Sequence, residues 1–340
     1  MAAGHLLAQR GVDFQILEAG PSHGGRTRSD PDFVDFPIPL GAEWLHADDD
    51  ELAMIVNDDT VSITTELAGY EPDAEVGFHD GELTLGPMGE FPDLKFVGST
   101  WTEFFDEFVV PGIADRIVVD VRVVRIDTSG DRVVVTDAAG VDREADAVIV
   151  TVPVTVLRDR DIEFVPDLPA RKRRALDEVD LWGGIKVFVE FTERFYPTFL
   201  AFPDSDTPDG QILYYDAAHG QRTAANVIGL FAVGAPAERY QALAGDALRD
   251  HVLAELDAIF DGAASRTFVQ YVAQNWSDEP FIRQAYVADE ADWRDVRTLG
   301  EPVGDRIWFA GDAYTDGEDW SSVHVAARSA RVAVGGLLGG

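Results

Sequence analysis

Cysteine is absent from the 340 residues. That removes disulfides, thiolate nucleophiles, zinc–thiolate sites and cysteinyl cofactor linkages in one step. Basic side chains are scarce, 27 against 62 acidic ones, for a net charge of −35. Such a surface repels nucleic acid and anionic lipid and draws cationic ligands from a distance. A dense acidic surface also keeps proteins hydrated in a salty cytoplasm, so the charge alone names no chemistry. Lysine is rarest of the cations: Lys95, Lys172 and Lys186 are the only three. No apolar run reaches the roughly 18 residues of a membrane span. No basic stretch followed by an apolar core opens the chain. A soluble cytoplasmic protein with neither membrane nor nucleic-acid partners is the expectation.

What is present suits a folded chain of one large or two medium domains. Hydrophobic residues make up 46%, with seven Trp, too many for a disordered chain. MAAGHLLAQRG reads as a helix closed by Gly11, and VDFQILEAG as a short strand ending at Glu18. Residues 50–66 look helical and acidic, and 70–95 turn-rich around Gly77, Gly81, Gly86 and Gly89. The 99–109 segment places Trp101, Phe104, Phe105 and Phe108 on one helical face, with Thr100 and Thr102 as candidate caps. Residues 117–158 read as a β-meander with Gly-bearing turns, ending in the apolar run VIVTVP. Further strands are expected at 186–191, 211–216 and 226–234, and the longest helix at 242–260. A strand runs into a glycine turn at RIWFAGDAY, followed by a last helix. This order implies an α/β fold in which one domain is built from both ends of the chain and another is inserted between its pieces.

A few residues stand out chemically. Glu18 ends a strand after a βα unit, where nucleotide-binding folds grip a ribose hydroxyl, though most carboxylates so placed are solvated loop residues. Gly24 and Gly25 allow backbone N–H groups to approach a phosphate, and the adjoining Arg26 can pair with a diphosphate; an ordinary turn with a surface Arg has the same composition. Lys186 lies within GGIKVFVEF, an otherwise apolar strand. An ammonium there is costly unless paired or lowered in pKa, unless the residue sits at the strand's end and reaches water. His46 and His324 are candidate active-site groups or satisfied core histidines. Trp276, Tyr286, Tyr214, Tyr215 and Trp320 are candidate walls for an amine, or simply core.

LEA…GGRTRS followed by LGAEWLH resembles the flavin-containing amine oxidases, the superfamily of monoamine, polyamine and L-amino-acid oxidases and lysine-specific histone demethylases. The likeness recurs at 123–126, 145–157, 182–197, 275–287 and 306–330, so it spans the chain. It implies FAD as cofactor, and an amine and O2 as partners, with a homodimer left open and no metal. It implies a Rossmann-like FAD-binding domain from 1–46, 111–158 and 297–340, and a substrate-binding domain from 47–110 and 159–296. By the same resemblance, Glu18 holds the adenosine ribose, and Gly24, Gly25 and Arg26 contact the diphosphate and flavin region. Gly41, Ala42 and Trp44 flank the isoalloxazine, and Val123 meets adenine. Gly311 and Asp312 contact the ribityl–diphosphate arm. Val323 offers its amide near the flavin's pyrimidine ring, where a helix N-terminus favours negative charge. Lys186 is implied to hold a water against flavin N5, with His46, His324 and Trp276 completing the catalytic set.

The chain departs from the family pattern in three places. Met1 falls just after the position of the last glycine of the family's G-x-G-x-x-G turn, so that turn and the strand before it are expected to be missing. The long helical stretch usual between the 99–109 helix and the 117–158 unit is nearly gone, which implies a smaller or more open pocket. Ser322 stands where many amine oxidases carry a cage Tyr, with Trp320 as the available substitute. A non-catalytic flavoprotein-like remnant and a related FAD-dependent desaturase are the competing readings; Lys186 and His46 favour amines over an apolar polyene.

Overall fold

The computed structural model describes residues 1–46, 49–70, 75–86, 93–203 and 205–339. Its two ends pack on each other. The helix Ala2–Gln9 buries Leu6 and Leu7 against Val334 of the C-terminal helix Val323–Leu338. Ala2 and Ala3 meet Ala330 and Ala333, small side chains that let the two helices approach closely. Short parallel ladders join distant segments beside them: Ile16–Leu17 with Ile117–Val118, and Val148–Val150 with Ile307–Phe309. The fold is mixed α/β, as expected from the sequence.

The largest sheet has seven strands in the order Phe268–Asn275, Gly184–Phe191, Asn226–Gly234, Gly210–Asp216, Phe199–Ala201, Glu75–His79 and Glu82–Gly86. Side chains along a strand alternate between its faces. On Gly184–Phe191, Ile185, Val187 and Val189 therefore face the helix Asp246–Ile259, packing with Val252 and Leu256. Lys186 and Phe188 point the other way, towards the loops at 36–46. This alternation decides which residues can reach the candidate site.

Several expectations are corrected. The 50–66 helix stops at Val56, because Asn57 adopts a left-handed φ of 52°. The turn-rich 70–95 stretch contains a hairpin, Glu75–His79 with Glu82–Gly86, whose turn uses left-handed Asp80 and Gly81; Gly89 lies outside the described residues. The 117–158 unit is no continuous meander. Only Val123–Asp127, Val133–Asp137 and Asp142–Ala145 pair in succession, and Glu163–Val165 adds to them in parallel. Asp120, at φ 57°, turns the chain so that Ile117–Val118 pairs elsewhere. The longest helix is Val323–Leu338, since Gly245 delays the start of the 242–260 pattern to Asp246. Thr100 caps the Trp101–Phe108 helix by accepting from Thr102 N–H at 3.1 Å, whereas Thr102 lies inside the helix and donates to the carbonyl of Thr27.

All three lysines are buried, each under 5% exposed, so the exposed fixed cations are arginines. Lys172 donates to the carbonyls of Thr298 (2.9 Å) and Leu299 (2.6 Å) near the end of the helix Trp293–Gly300, with its ammonium 3.9 Å from the Phe309 ring centre. Burial lowers its pKa from 10.5 to about 7. Between those values the unfolded chain binds the proton more tightly than the folded one, so this residue's contribution to stability grows as pH rises. Urea midpoints of the native chain relative to Lys172→Met are expected to climb from pH 7 towards 10.5 and to be flat below 7. A difference that stayed constant across that window would refute the account.

Candidate active site

The loop that follows Ile16–Leu17 builds one side of the site. Glu18 is held at its start. Its N–H donates to Val118 O, its carbonyl accepts from Val121 N–H at 2.8 Å, and its carboxylate accepts from Gly20 N–H at 2.7 Å. Val123 opens the next strand two residues on from Val121, so Glu18 and Val123 share one neighbourhood. Gly24 and Gly25 both have positive φ, 103° and 55°, and the space where a Gly25 side chain would stand is open.

Arg26 crosses to the far end of the chain. Its guanidinium binds Asp312 through two parallel bonds, 2.9 and 2.6 Å, and also donates to the carbonyl of Ala285. The fork geometry matches a carboxylate, which makes this one of the stronger kinds of polar contact. Gly311, next to Asp312, exchanges hydrogen bonds with Ser329 Oγ of the last helix at 2.8 and 3.0 Å. The glycine loop, the 311–312 turn and the C-terminal helix are thereby fixed to one another.

Gly41 lies directly on Arg26. A Cβ at Gly41 would stand 1.9 Å from the Arg26 carbonyl oxygen and 3.0 Å from the Trp276 ring. Ala42 N–H donates to that same carbonyl at 2.9 Å, and the Trp276 indole Nε1–H donates to Leu40 O at 3.0 Å. Ala42 and Val323 pack into one apolar cluster with Leu45 and Ala327, which brings the start of the last helix against the 41–45 segment. Trp44 then reaches Lys186, whose ammonium is 4.9 Å from the indole centre.

Lys186 is anchored by Glu43, a residue that the motif reading passed over. Nζ to Oε2 is 2.8 Å, and the Tyr215 hydroxyl donates to the same oxygen. Burial pulls the Lys186 pKa down while the Glu43 charge pulls it up. The Tyr215 ring also lies 5.1 Å from that of Trp44, tilted by 60°, and burial followed by the Glu43 charge raises its pKa well above 10. Glu43 was legible in principle. A Glu in the otherwise apolar PIPLGAEWL is as costly to bury as a Lys in GGIKVFVEF, and each is the other's remedy.

The histidines lie to one side. His46 is half-exposed, with Nδ1 2.9 Å from Asp93 Oδ1. His324 is buried beside Ser322 Oγ at 3.1 Å, and burial lowers its pKa, with Arg328 and His46 adding to the effect, so it is neutral at pH 7. The five aromatic candidates divide. Tyr215 and Trp276 belong to this constellation. Tyr214, one residue from Tyr215, takes the opposite face of the sheet and hydrogen-bonds Glu255 at 2.9 Å. Trp320 donates to Ala288 O at 3.0 Å and packs on the core around Phe309. Tyr286 pairs with Trp182 in a tilted arrangement, 6.0 Å between ring centres and 59° between planes.

The model of the family described as flavin containing amine oxidoreductase matches residues 1–111 and 112–338. The chain belongs to this family. Among curated relatives, a probable polyamine oxidase 4 of Arabidopsis thaliana is 30% identical over 194 residues, covering 56% of this chain and 38% of that protein. Lysine-specific histone demethylase 1 homolog 2 of the same plant is 30% identical over 180 residues, covering 51% and 24%. The matched stretch is thus well under half the length of these relatives. Among solved structures, a putrescine oxidase bound to putrescine has a TM-score of 0.79 at 15% identity, covering 100% of this chain and 96% of that one. The cyclohexylamine oxidase of Brevibacterium oxydans IH-35A gives 0.78 at 13%, covering 99% and 95%. These two likenesses establish the shared fold.

The family's cofactor, FAD, suits the residues present. A left-handed glycine pair beside open space lets a phosphate-bearing chain come close without a Cβ in the way. Arg26 supplies a planar cation next to it, already oriented by Asp312.

Proposed function

We propose that this chain binds FAD and uses it to oxidise a small amine, with O2 as the final electron acceptor. The observation that carries the reading is Lys186, a buried ammonium on the sheet face turned towards Gly41–Trp44, in a chain whose two ends are clamped together by Arg26 and Asp312.

In this reading Glu18 takes a ribose hydroxyl and Val123 meets adenine. Gly24, Gly25 and Arg26 take the diphosphate, with Gly311 and Asp312 along the ribityl arm. Gly41, Ala42 and Trp44 flank the ring system, and Val323 offers a helix N-terminal amide to its electron-rich edge. When bound, FAD would supply the two-electron redox chemistry between the amine's α-carbon and O2, with H2O2 as the reduced product. Lys186 keeps donors beyond the one used by Glu43, and these orient a water for imine hydrolysis. Trp276 and Trp44 exclude bulk water, and neutral His324 with His46 offers acceptors for the amine's protons. The net charge of −35 draws ammonium substrates to the surface. The proposed FAD domain comprises 1–46, 111–158 and 297–340, and the substrate domain 47–110 and 159–296. No helix among the described residues is long and apolar enough to cross a membrane, and a cytoplasmic location is part of the proposal.

The test is reconstitution of the full chain with FAD. The expected result is a yellow protein that putrescine or cyclohexylamine bleaches without air, and that regains colour with H2O2 release when air is admitted. A protein that stays colourless, or a bound flavin that no amine reduces, overturns the proposal.

A further inference from the structure

Glu43 serves two lysines. Oε2 is held by Lys186 at 2.8 Å, and Oε1 faces Lys95 at 3.8 Å from the other side. Lys95 arrives on the strand Leu94–Phe96, donates to Ala217 O at 2.8 Å and lies 5.3 Å from the Tyr70 ring centre. Both ammonium groups and the carboxylate are buried. The other groups facing them are the hydroxyls of Tyr215 and Tyr70, and Asp216 beyond Lys95, which Arg194 already pairs at 3.3 Å.

With every group charged, the triad would bury one excess positive charge, and buried charge without a partner is expensive. Loss of a proton from one lysine restores neutrality. The shorter contact and the Trp44 face favour Lys186 as the holder, which leaves Lys95 to give up its proton first. A small cavity of about 10 Å³, the size of one water, lies beside Glu43, Lys95, Thr100 and Gln221.

We propose that Glu43 and Lys95 are positioning residues for Lys186: the single carboxylate keeps Lys186 as the ammonium, and Lys95 competes for the same negative charge, so that the two lysines titrate as a coupled pair. Burial lowers the proton affinity of both, the Glu43 charge raises it in both, and the Lys186 cation lowers it further at Lys95. The importance of this pair for turnover rests on the function proposed above; the coupling itself does not.

A chain with three lysines allows a direct test. Labelled with ¹³C-lysine, it yields three Cε signals to follow against pH, assigned by single substitutions, with Lys172 as an internal control outside the triad. Lys186→Met is expected to raise the Lys95 midpoint by about one pH unit or more, the scale at which buried sites count as coupled, whereas Lys95→Met should leave the Lys186 midpoint near the native value, because Lys95 is already neutral where Lys186 titrates. Lys95→Arg, which keeps a permanent cation, is expected to lower the Lys186 midpoint by about one pH unit or more. Glu43→Gln should lower the midpoints of both lysines and leave Lys172 unchanged. If Lys95→Met and Lys95→Arg leave the Lys186 midpoint equally placed, the coupling is refuted. Flavin colour and amine bleaching of the same samples separate the two proposals. Colourless protein with coupled lysines defeats the proposed function alone, and amine-bleached yellow protein with independent lysines defeats the coupling alone.

Discussion

Glu43→Ala is expected to lower the unfolding free energy by about 3–5 kcal/mol, the cost of leaving a buried charge without its partner. The substitution strands the Lys186 ammonium, 4% exposed, among Trp44, Phe188 and Tyr215, and removes the only carboxylate within 4.0 Å of either triad lysine among the described contacts. The aromatic faces soften that loss only in part, since each such contact contributes roughly 0.5–2 kcal/mol. Removing all three charges together should behave differently. Glu43→Leu with Lys186→Met and Lys95→Met exchanges polar groups for apolar ones of similar volume, and such exchanges of buried ion pairs are often neutral. The triple variant should therefore recover most of the stability that Glu43→Ala loses, read as a restored urea midpoint at an unchanged slope. If the single variant unfolds at the native midpoint, the carboxylate is not the anchor of the cluster.

Much of the fold was readable from local pattern. The strands at 186–191, 211–216 and 226–234 and the apolar face of the 101–108 helix follow from alternation and helical spacing, and the structure contains them at Gly184–Phe191, Gly210–Asp216, Asn226–Gly234 and Trp101–Phe108. What escaped was decided by backbone conformation or by partners far away in the chain. Left-handed Asn57 and Asp120 end elements whose composition would let them continue. Ile117–Val118 and Val148–Val150 look like members of the neighbouring meander, yet their partners are Ile16–Leu17 and Ile307–Phe309, which no local window contains. In the site, the Arg26–Asp312 pair spans 286 residues, and spacing alone gives no sign of it. The lysine count was the one compositional signal that reached into three dimensions. It drew attention to Lys186, but applied evenly it points to Lys95 and Lys172 as well, and a buried Lys needs either a carboxylate or carbonyls. Glu43 supplies the first, and Thr298 and Leu299 supply the second.

Gly41→Ala is expected to remove FAD binding while leaving a folded protein. The added Cβ would stand 1.9 Å from the carbonyl oxygen of Arg26 and 2.7 Å from its carbon, and both are main-chain atoms. A flexible side chain could swing aside, but the Arg26 backbone can only retreat. Its retreat breaks the Ala42 N–H bond to that carbonyl and draws the guanidinium away from Asp312. The cost in stability should be about 1–3 kcal/mol, typical of overpacking. The cost in affinity should be larger than tenfold, because about 1.4 kcal/mol is already a factor of ten and the whole diphosphate cradle moves. Gly140→Ala provides the comparison. Gly140 has a φ of 80° in the turn between Val133–Asp137 and Asp142–Ala145, and nothing lies within 4 Å of its added Cβ. That substitution should cost about 1–2 kcal/mol through left-handed strain alone and leave FAD affinity as it is. Flavin fluorescence titration beside urea unfolding reads the two quantities separately. Should Gly41→Ala bind FAD as tightly as the native chain, the close approach of the 41–44 segment to Arg26 would not be what shapes the cofactor's seat.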